Sequence, residues 1–180
     1  MPWQTSSSRT VYANPWIEVR EDAVIRPDGA DGIYGVVRLQ RPAVFVVPIT
    51  DDDQVVLVDV DRYTVGRSLE VPAGGTDGED LLVAAARELR EETGLTAAQL
   101  EPVGRTFALN GVCVAPEHVV LATGLTEAGS AHDSQHEEGI TAVHRVPWRT
   151  AMELVRDGTI TDGESVTALM LVALATGRVG

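Results

Sequence analysis

Lysine is missing altogether from the 180-residue chain: all fourteen basic residues are arginine. Lysine Schiff-base chemistry and a phosphate-loop lysine are therefore excluded. Cysteine occurs once, as Cys113, so neither an internal disulfide nor a cysteine-cluster zinc site can form. No apolar run approaches the roughly 18 residues of a membrane span. The polar segment Met1 to Thr10 carries no apolar signal-peptide core. These absences lead to the expectation of a soluble, cytoplasmic protein that meets no membrane. Positive charge is also scarce, with 14 basic against 27 acidic residues and a formal net charge of -13. Such a surface repels a nucleic-acid backbone. It can still handle a phosphorylated small molecule if divalent cations stand between the two sets of negative charge.

What remains is an ordinary globular composition, 44% hydrophobic and 23% charged, at the length of one domain. Residues 1–10 read as a flexible lead-in and 11–40 as an N-terminal antiparallel sheet that turns at Pro27-Asp28-Gly29. Ala43 to Ile49 and Gln54 to Val60 are β-branched runs on either side of Asp51-Asp52-Asp53. They predict a hairpin buried on both faces. Ser68 to Val71 predicts a short strand, Pro72 to Asp80 a glycine-bearing loop, and Leu81 to Thr93 a helix capped by Gly94. Strands are predicted at Val103 to Ala108, Glu117 to Leu125 and Ile140 to Val146. The small, polar stretch Thr126 to His136 reads as a mobile loop. Trp148 to Asp157 and Glu164 to Thr176 predict two final helices. The order gives an α+β fold and not a βαβ repeat.

The stretch Gly74 to Leu95, GGTDGEDLLVAAARELREETGL, is the most informative. At about 100° per residue, Glu88, Glu91 and Glu92 share one helical stripe, which leaves Leu82, Ala86 and Leu89 to face the core. Like charges one turn apart cost a few tenths of a kcal/mol each. The stripe is therefore a poor choice for stability and a good one for a hard cation such as Mg²⁺ or Mn²⁺. Arg87 is placed to pair with Glu91 and hold its orientation. Six fixed positions (Glu79, Arg87, Glu88, Glu91, Glu92, Gly94) match by chance in such a chain on the order of once in 10⁵.

From Glu79 to Leu95 this pattern resembles the Nudix box, G-x5-E-x7-R-E-U-x-E-E-x-G-U, in identity and spacing. It departs from the box at the front, where Ala73 occupies the position of the first glycine and Gly74 follows it. Leu69-Glu70-Val71-Pro72-Ala73-Gly74 and Asp61-Arg62-Tyr63 resemble the ADP-ribose pyrophosphatase-like branch. So do Asn14-Pro15-Trp16 through Val37, and Arg156 through Asp162. The resemblance implies a Nudix fold over 41–180, a mixed β-sheet sandwiched between helices, with 11–40 as an N-terminal β-sheet extension. It implies metal-dependent hydrolysis of a nucleoside diphosphate linked to another group, with ADP-ribose or another nucleotide sugar first. Glu88, Glu92, Glu91 and the backbone carbonyl of Ala73 would hold Mg²⁺ or Mn²⁺, with Glu79 and Arg87 in support.

By the same resemblance Glu138 would take the proton of the attacking water. Glu137, Glu91 and Glu92 are the other carboxylates open to that role. Arg62, Arg67, Glu70 and Asn110 would meet substrate. Asn110 stands where this branch usually has proline, which keeps another nucleotide sugar open. A homodimer built through the N-terminal sheet is implied as well. Two further readings are a nucleoside triphosphate pyrophosphohydrolase and an inactive nucleotide-sensing regulator. The intact set of box carboxylates speaks against the regulator.

Overall fold

A computed structural model describes residues 1–179. Two compact units emerge, one built from Met1–Pro42 with Thr106–Glu117, the other from Ala43–Arg105 with the chain from His118 onward. The assignment of 106–117 to the first unit lies beyond the division expected at residue 40.

The first unit is a four-stranded sheet in the order β1-β2-β3-β9, with β1 at Gln4–Ala13, β2 at Ile17–Ile25, β3 at Asp31–Leu39 and β9 at Cys113–Val114. The expected flexible lead-in is thus corrected: from Gln4 the backbone pairs with β2 in antiparallel register, Gln4 facing Ile25 and Ala13 facing Glu18. Polar side chains do not prevent pairing when the backbone groups find partners. The β2–β3 turn sits at 27–29 as predicted, with Gly29 at φ 87° and Arg26 N–H donating to Ala30 O at 2.8 Å. Strand β9 joins β3 in parallel, Val37 opposite Cys113. Every residue of β1 is exposed, and Val11, Tyr12, Trp16 and Ile33 are more than half exposed.

The second unit layers helices on both sides of strands. Strand β4 (Ala43–Pro48) lies in a sheet of order β7-β4-β10-β8 with β7 (Ala73–Gly75), β8 (Leu95–Phe107) and β10 (Pro116–Glu127). Strand β5 (Gln54–Arg62) lies in a second sheet, β11-β5-β6, with β6 (Gly66–Glu70) and β11 (Ile140–Pro147). The predicted β4–β5 hairpin is therefore corrected. Around the Asp51–Asp53 turn the two runs meet at the bridge Ile49–Val55 and the bond from Thr50 N–H to Gln54 O, and each then enters its own sheet. Burial on both faces holds, because alternate residues of one strand serve opposite cores. Val44, Val46, Val56, Val120 and Ala122 pack with Ala84, Ala85 and Leu89 of helix α1 (Leu81–Thr93). Val47, Val55, Leu57, Val119 and Leu121 pack with residues of α3 (Trp148–Arg156) and α4 (Gly163–Thr176). The expected mobile loop is shorter than predicted: β10 runs to Glu127, and α2 occupies His132–Glu138. No helix among the described residues is long and apolar enough to cross a membrane.

Candidate active site

Helix α1 starts where the Asp80 carboxylate accepts from Leu82 N–H and stops where Gly94 turns left-handed at φ 72°. Glycine suits that cap twice over, since a Cβ at Gly94 would also stand 2.8 Å from the Gly129 carbonyl. The inward face differs from the expected Leu82, Ala86 and Leu89 in several residues. Ala84, Ala85, Glu88, Leu89 and Glu92 are buried, whereas Ala86 faces solvent. Two carboxylates thus share the buried face with the apolar residues. Glu88 is 4% exposed and Glu92 3%, a costly placement for charge unless partners compensate it.

The compensation is incomplete. Arg87 reaches Glu79 at 2.9 Å, Glu88 at 2.7 Å and Glu91 at 3.2 Å, and it donates to the Gly75 carbonyl at 2.8 Å. Burial works against its charge, and the surrounding glutamates more than offset this and raise its pKa. Glu92 has one main-chain donor, Ala73 N–H at 3.1 Å. Burial first, and then the charge of Glu138, push the Glu92 carboxyl far above the ordinary carboxylate range. Burial likewise lifts Glu88 to about 6, against the opposing pull of Arg87. One oxygen each from Glu88, Glu91 and Glu138 lie within 4.8 Å of one another. Carboxylate oxygens gathered this closely form a donor set suited to a hard divalent cation.

The displaced glycine of the box finds its explanation in β7. Ala43 pairs with Gly75, Val44 with Gly74 and Phe45 with Ala73, while Pro72 O accepts from Val46 N–H at 2.8 Å and Val71 N–H donates to the buried Ser165 hydroxyl at 3.0 Å. These bonds bring the strand onto α1. A Cβ on Gly74 would collide with the carboxylate of Glu88. The glycine next to Ala73 is thus the one the carboxylates require.

Arg62 and Glu70 form one pair at this face, with the Arg62 guanidinium donating to Glu70 at 2.6 Å. Bonding to Glu70 and the negative charge of Glu70 and Glu92 raise the pKa of Arg62, more than offsetting its partial burial. Arg67 is not brought there. In the β5–β6 register Glu70 lies opposite Val58 and Arg67 opposite Asp61, so the two point to opposite faces. Arg67 instead holds Asp59. Asn110 stands in the turn of the first unit that leads to β9, where Leu109 O accepts from both Val112 and Cys113 N–H groups at 2.8 Å. A residue missed in the sequence is Gln135, whose side-chain amide donates to Glu92 O at 2.8 Å. Its spacing of three from Glu138 becomes a signal only once 132–138 is known to be helical.

Two family models match the chain: the nucleoside diphosphate sugar hydrolase N-terminal domain over residues 3–37 and the NUDIX domain over residues 39–169. An ADP-ribose pyrophosphatase of Mycobacterium tuberculosis is 34% identical over 97% of this chain and 86% of its own length. A methanol dehydrogenase activator of Bacillus methanolicus is 27% identical over 95% and 92%. A crystal structure described as an ADP compounds hydrolase superposes with a TM-score of 0.85 at 26% identity, covering 99% of this chain and 98% of its own. The glutamate-bearing helix, the sandwiched sheets and the span of the domain match agree: this chain belongs to the Nudix family.

Proposed function

We propose that this Nudix pyrophosphohydrolase cleaves the pyrophosphate bond of ADP-ribose or another nucleotide sugar, releasing a nucleoside monophosphate and a sugar phosphate. The observation that carries this reading is the convergence of Glu88, Glu91 and Glu138 within 4.8 Å beside the buried Glu92. The named relatives and the N-terminal family match favour the substrate class.

Glu88, Glu91, Glu92 and the carbonyl of Ala73 would hold Mg²⁺ or Mn²⁺, and when bound the cation would neutralise phosphate charge and orient the attacking water. The buried, poorly compensated carboxylates fit such an ion. Glu138 takes the proton of the water. The water oxygen forms the new bond to phosphorus, the bridging P–O bond breaks, and its electron pair leaves with the second phosphate. Arg62, oriented by Glu70, offers its remaining N–H groups to phosphate oxygens. Arg87 keeps Glu88 and Glu91 aligned.

The proposal includes a homodimer through the first unit, supported by the fully exposed strand β1 and the apolar residues around it. It also places the enzyme in the cytoplasm. The test is product analysis with ADP-ribose, other nucleotide sugars and nucleoside triphosphates, with Mg²⁺ and with Mn²⁺. AMP and ribose 5-phosphate from ADP-ribose, lost in Glu92→Gln, are expected. Pyrophosphate from a triphosphate as the main product would overturn the substrate assignment.

A further inference from the structure

Helix α2 presents a mechanical problem. Glu138 is its last residue, and its carboxylate stands among Glu88 and Glu91, with Glu92 near enough to feel its charge. Like charges at such distances repel strongly where water is partly excluded. The negative end of the helix dipole points the same way. Repulsion among the carboxylates therefore works against the seating of α2 on α1, and the bonds that oppose it matter.

Both ends are tied through main chain. Ala128 N–H donates to Gly94 O at 2.8 Å, and Asp61 N–H donates to Gly139 O at 2.9 Å. Gly139 is left-handed at φ 75°, and a Cβ there would stand 3.2 Å from the Asp61 carbonyl. Between these ties Gln135 Nε2 donates to the main-chain oxygen of Glu92 at 2.8 Å, a side-chain bond from α2 to the backbone of α1. The acceptor is one of the carbonyls that the end of α1 leaves without a helical donor. Gln135 and Glu138 are three apart and therefore neighbours on one face of α2. One grips the main chain of Glu92 while the other approaches the carboxylate cluster. The amide is neutral, so the grip does not depend on whether a cation is present.

We propose that Gln135 is a positioning residue: by capping the Glu92 carbonyl it holds α2 against α1 and sets the place of Glu138 within the carboxylate cluster. This inference rests on the role of Glu138 in the proposed function. Two measurements separate the failure of one from the failure of the other.

The first needs no substrate. Amide hydrogen exchange over residues 132–139 is compared in wild type, Gln135→Ala and Gln135→Leu, the last keeping bulk without the donor. Exchange about 10-fold faster in both variants, with 81–90 unchanged, is expected. Equal exchange in all three overturns the tether. The second is a double-mutant cycle on turnover of the substrate that product analysis identifies. Gln135→Leu is expected to lower kcat about 10-fold with KM within about twofold. The loss is expected to vanish on a Glu138→Gln background. The same loss on both backgrounds, or a change confined to KM, overturns action through Glu138. If wild type turns over none of the compounds, the proposed function fails, and the exchange data still decide the tether.

Discussion

The β5–β6 hairpin carries two arginine–carboxylate pairs of the same make. Arg62 holds Glu70 and Arg67 holds Asp59, each across eight residues of sequence. In both pairs the carboxylate is buried, at 5% exposure. They differ in which face they occupy. Arg62 and Glu70 share the α1 face with the metal-type carboxylates. Asp59 and Arg67 look toward α3, where with His144, Leu69, Val146 and Leu154 they line a cavity of about 460 Å³. The His144 imidazole stands 3.5 Å from Asp59. Residue type and nearness in sequence do not tell the pairs apart, but parity along the strand does. The α1-face pair lies near enough to Glu92 for Arg62 to feel its charge, whereas the α3-face pair lines a cavity.

The strongest way to break that contrast is at the buried carboxylates. Glu92→Gln is expected to lower kcat about 10³-fold, several kcal/mol of transition-state stabilisation, while Asp59→Asn leaves kcat within about twofold. Steady-state kinetics on both variants decides it, and equal losses would dissolve the distinction between faces. Gly74→Ala comes next. Its methyl group must displace the Glu88 carboxylate, so Mn²⁺ affinity measured by titration is expected to fall about 10²-fold. An unaltered affinity would mean that β7 yields instead.

The two faces also predict opposite pH signatures in metal-free protein. The Glu88 carboxyl is raised from 4.5 to about 6, so the folded state binds its proton more tightly than the unfolded chain. Its contribution to stability is fully present below about 4.5 and is lost as pH rises through 6, about 2 kcal/mol in all. Glu92 acts in the same direction. Bonding to Arg67 lowers Asp59 below 3.8, so its contribution is present above that value and is lost as pH falls further. Thermal melts in chelator are expected to show both limbs. Glu88→Gln should reduce the first limb alone, Glu88→Gln with Glu92→Gln should flatten it, and Asp59→Asn should flatten the second alone. A first limb that survives in Glu88→Gln and Glu92→Gln together would refute the assignment.

Smaller effects refine the contrast. Arg62→Ala is expected to raise KM for the nucleotide substrate about 10-fold, the loss of one charge-assisted contact. Arg67→Ala should leave KM and kcat within twofold and lower Tm by at most a few degrees. An Arg67→Ala variant whose KM rises as far as that of Arg62→Ala would move substrate contact to the α3 face.

The same comparison shows what the sequence could reveal. The carboxylate helix was legible because its period and its Nudix resemblance point to the same residues, and Leu81–Thr93 is the observed helix. Glu138 was legible through the resemblance, and its approach to Glu88 and Glu91 is seen in the structure. Arg67 was misplaced because proximity was weighed without strand parity, although its odd spacing from Glu70 was available in the sequence. The β4–β5 hairpin was misread because two apolar runs around a turn look alike whether they pair with each other or with distant strands. Gln135 was passed over because the short helix that aims it has a polar, small-residue composition that reads as loop. The recruitment of 106–117 to the first unit is a long-range pairing with no local signature.

That recruitment bears on how the protein can be taken apart. The chain passes between its two units after Pro42, after Arg105 and after Glu117. The first unit is therefore no bead at the end of a string. Cutting before Ala43 would strip β9 of the β3 edge it pairs with and leave that segment stranded inside the remaining sequence. Module exchange, or expression of a minimal catalytic piece, has to treat 1–42 and 106–117 as one inheritance, moved together or left together.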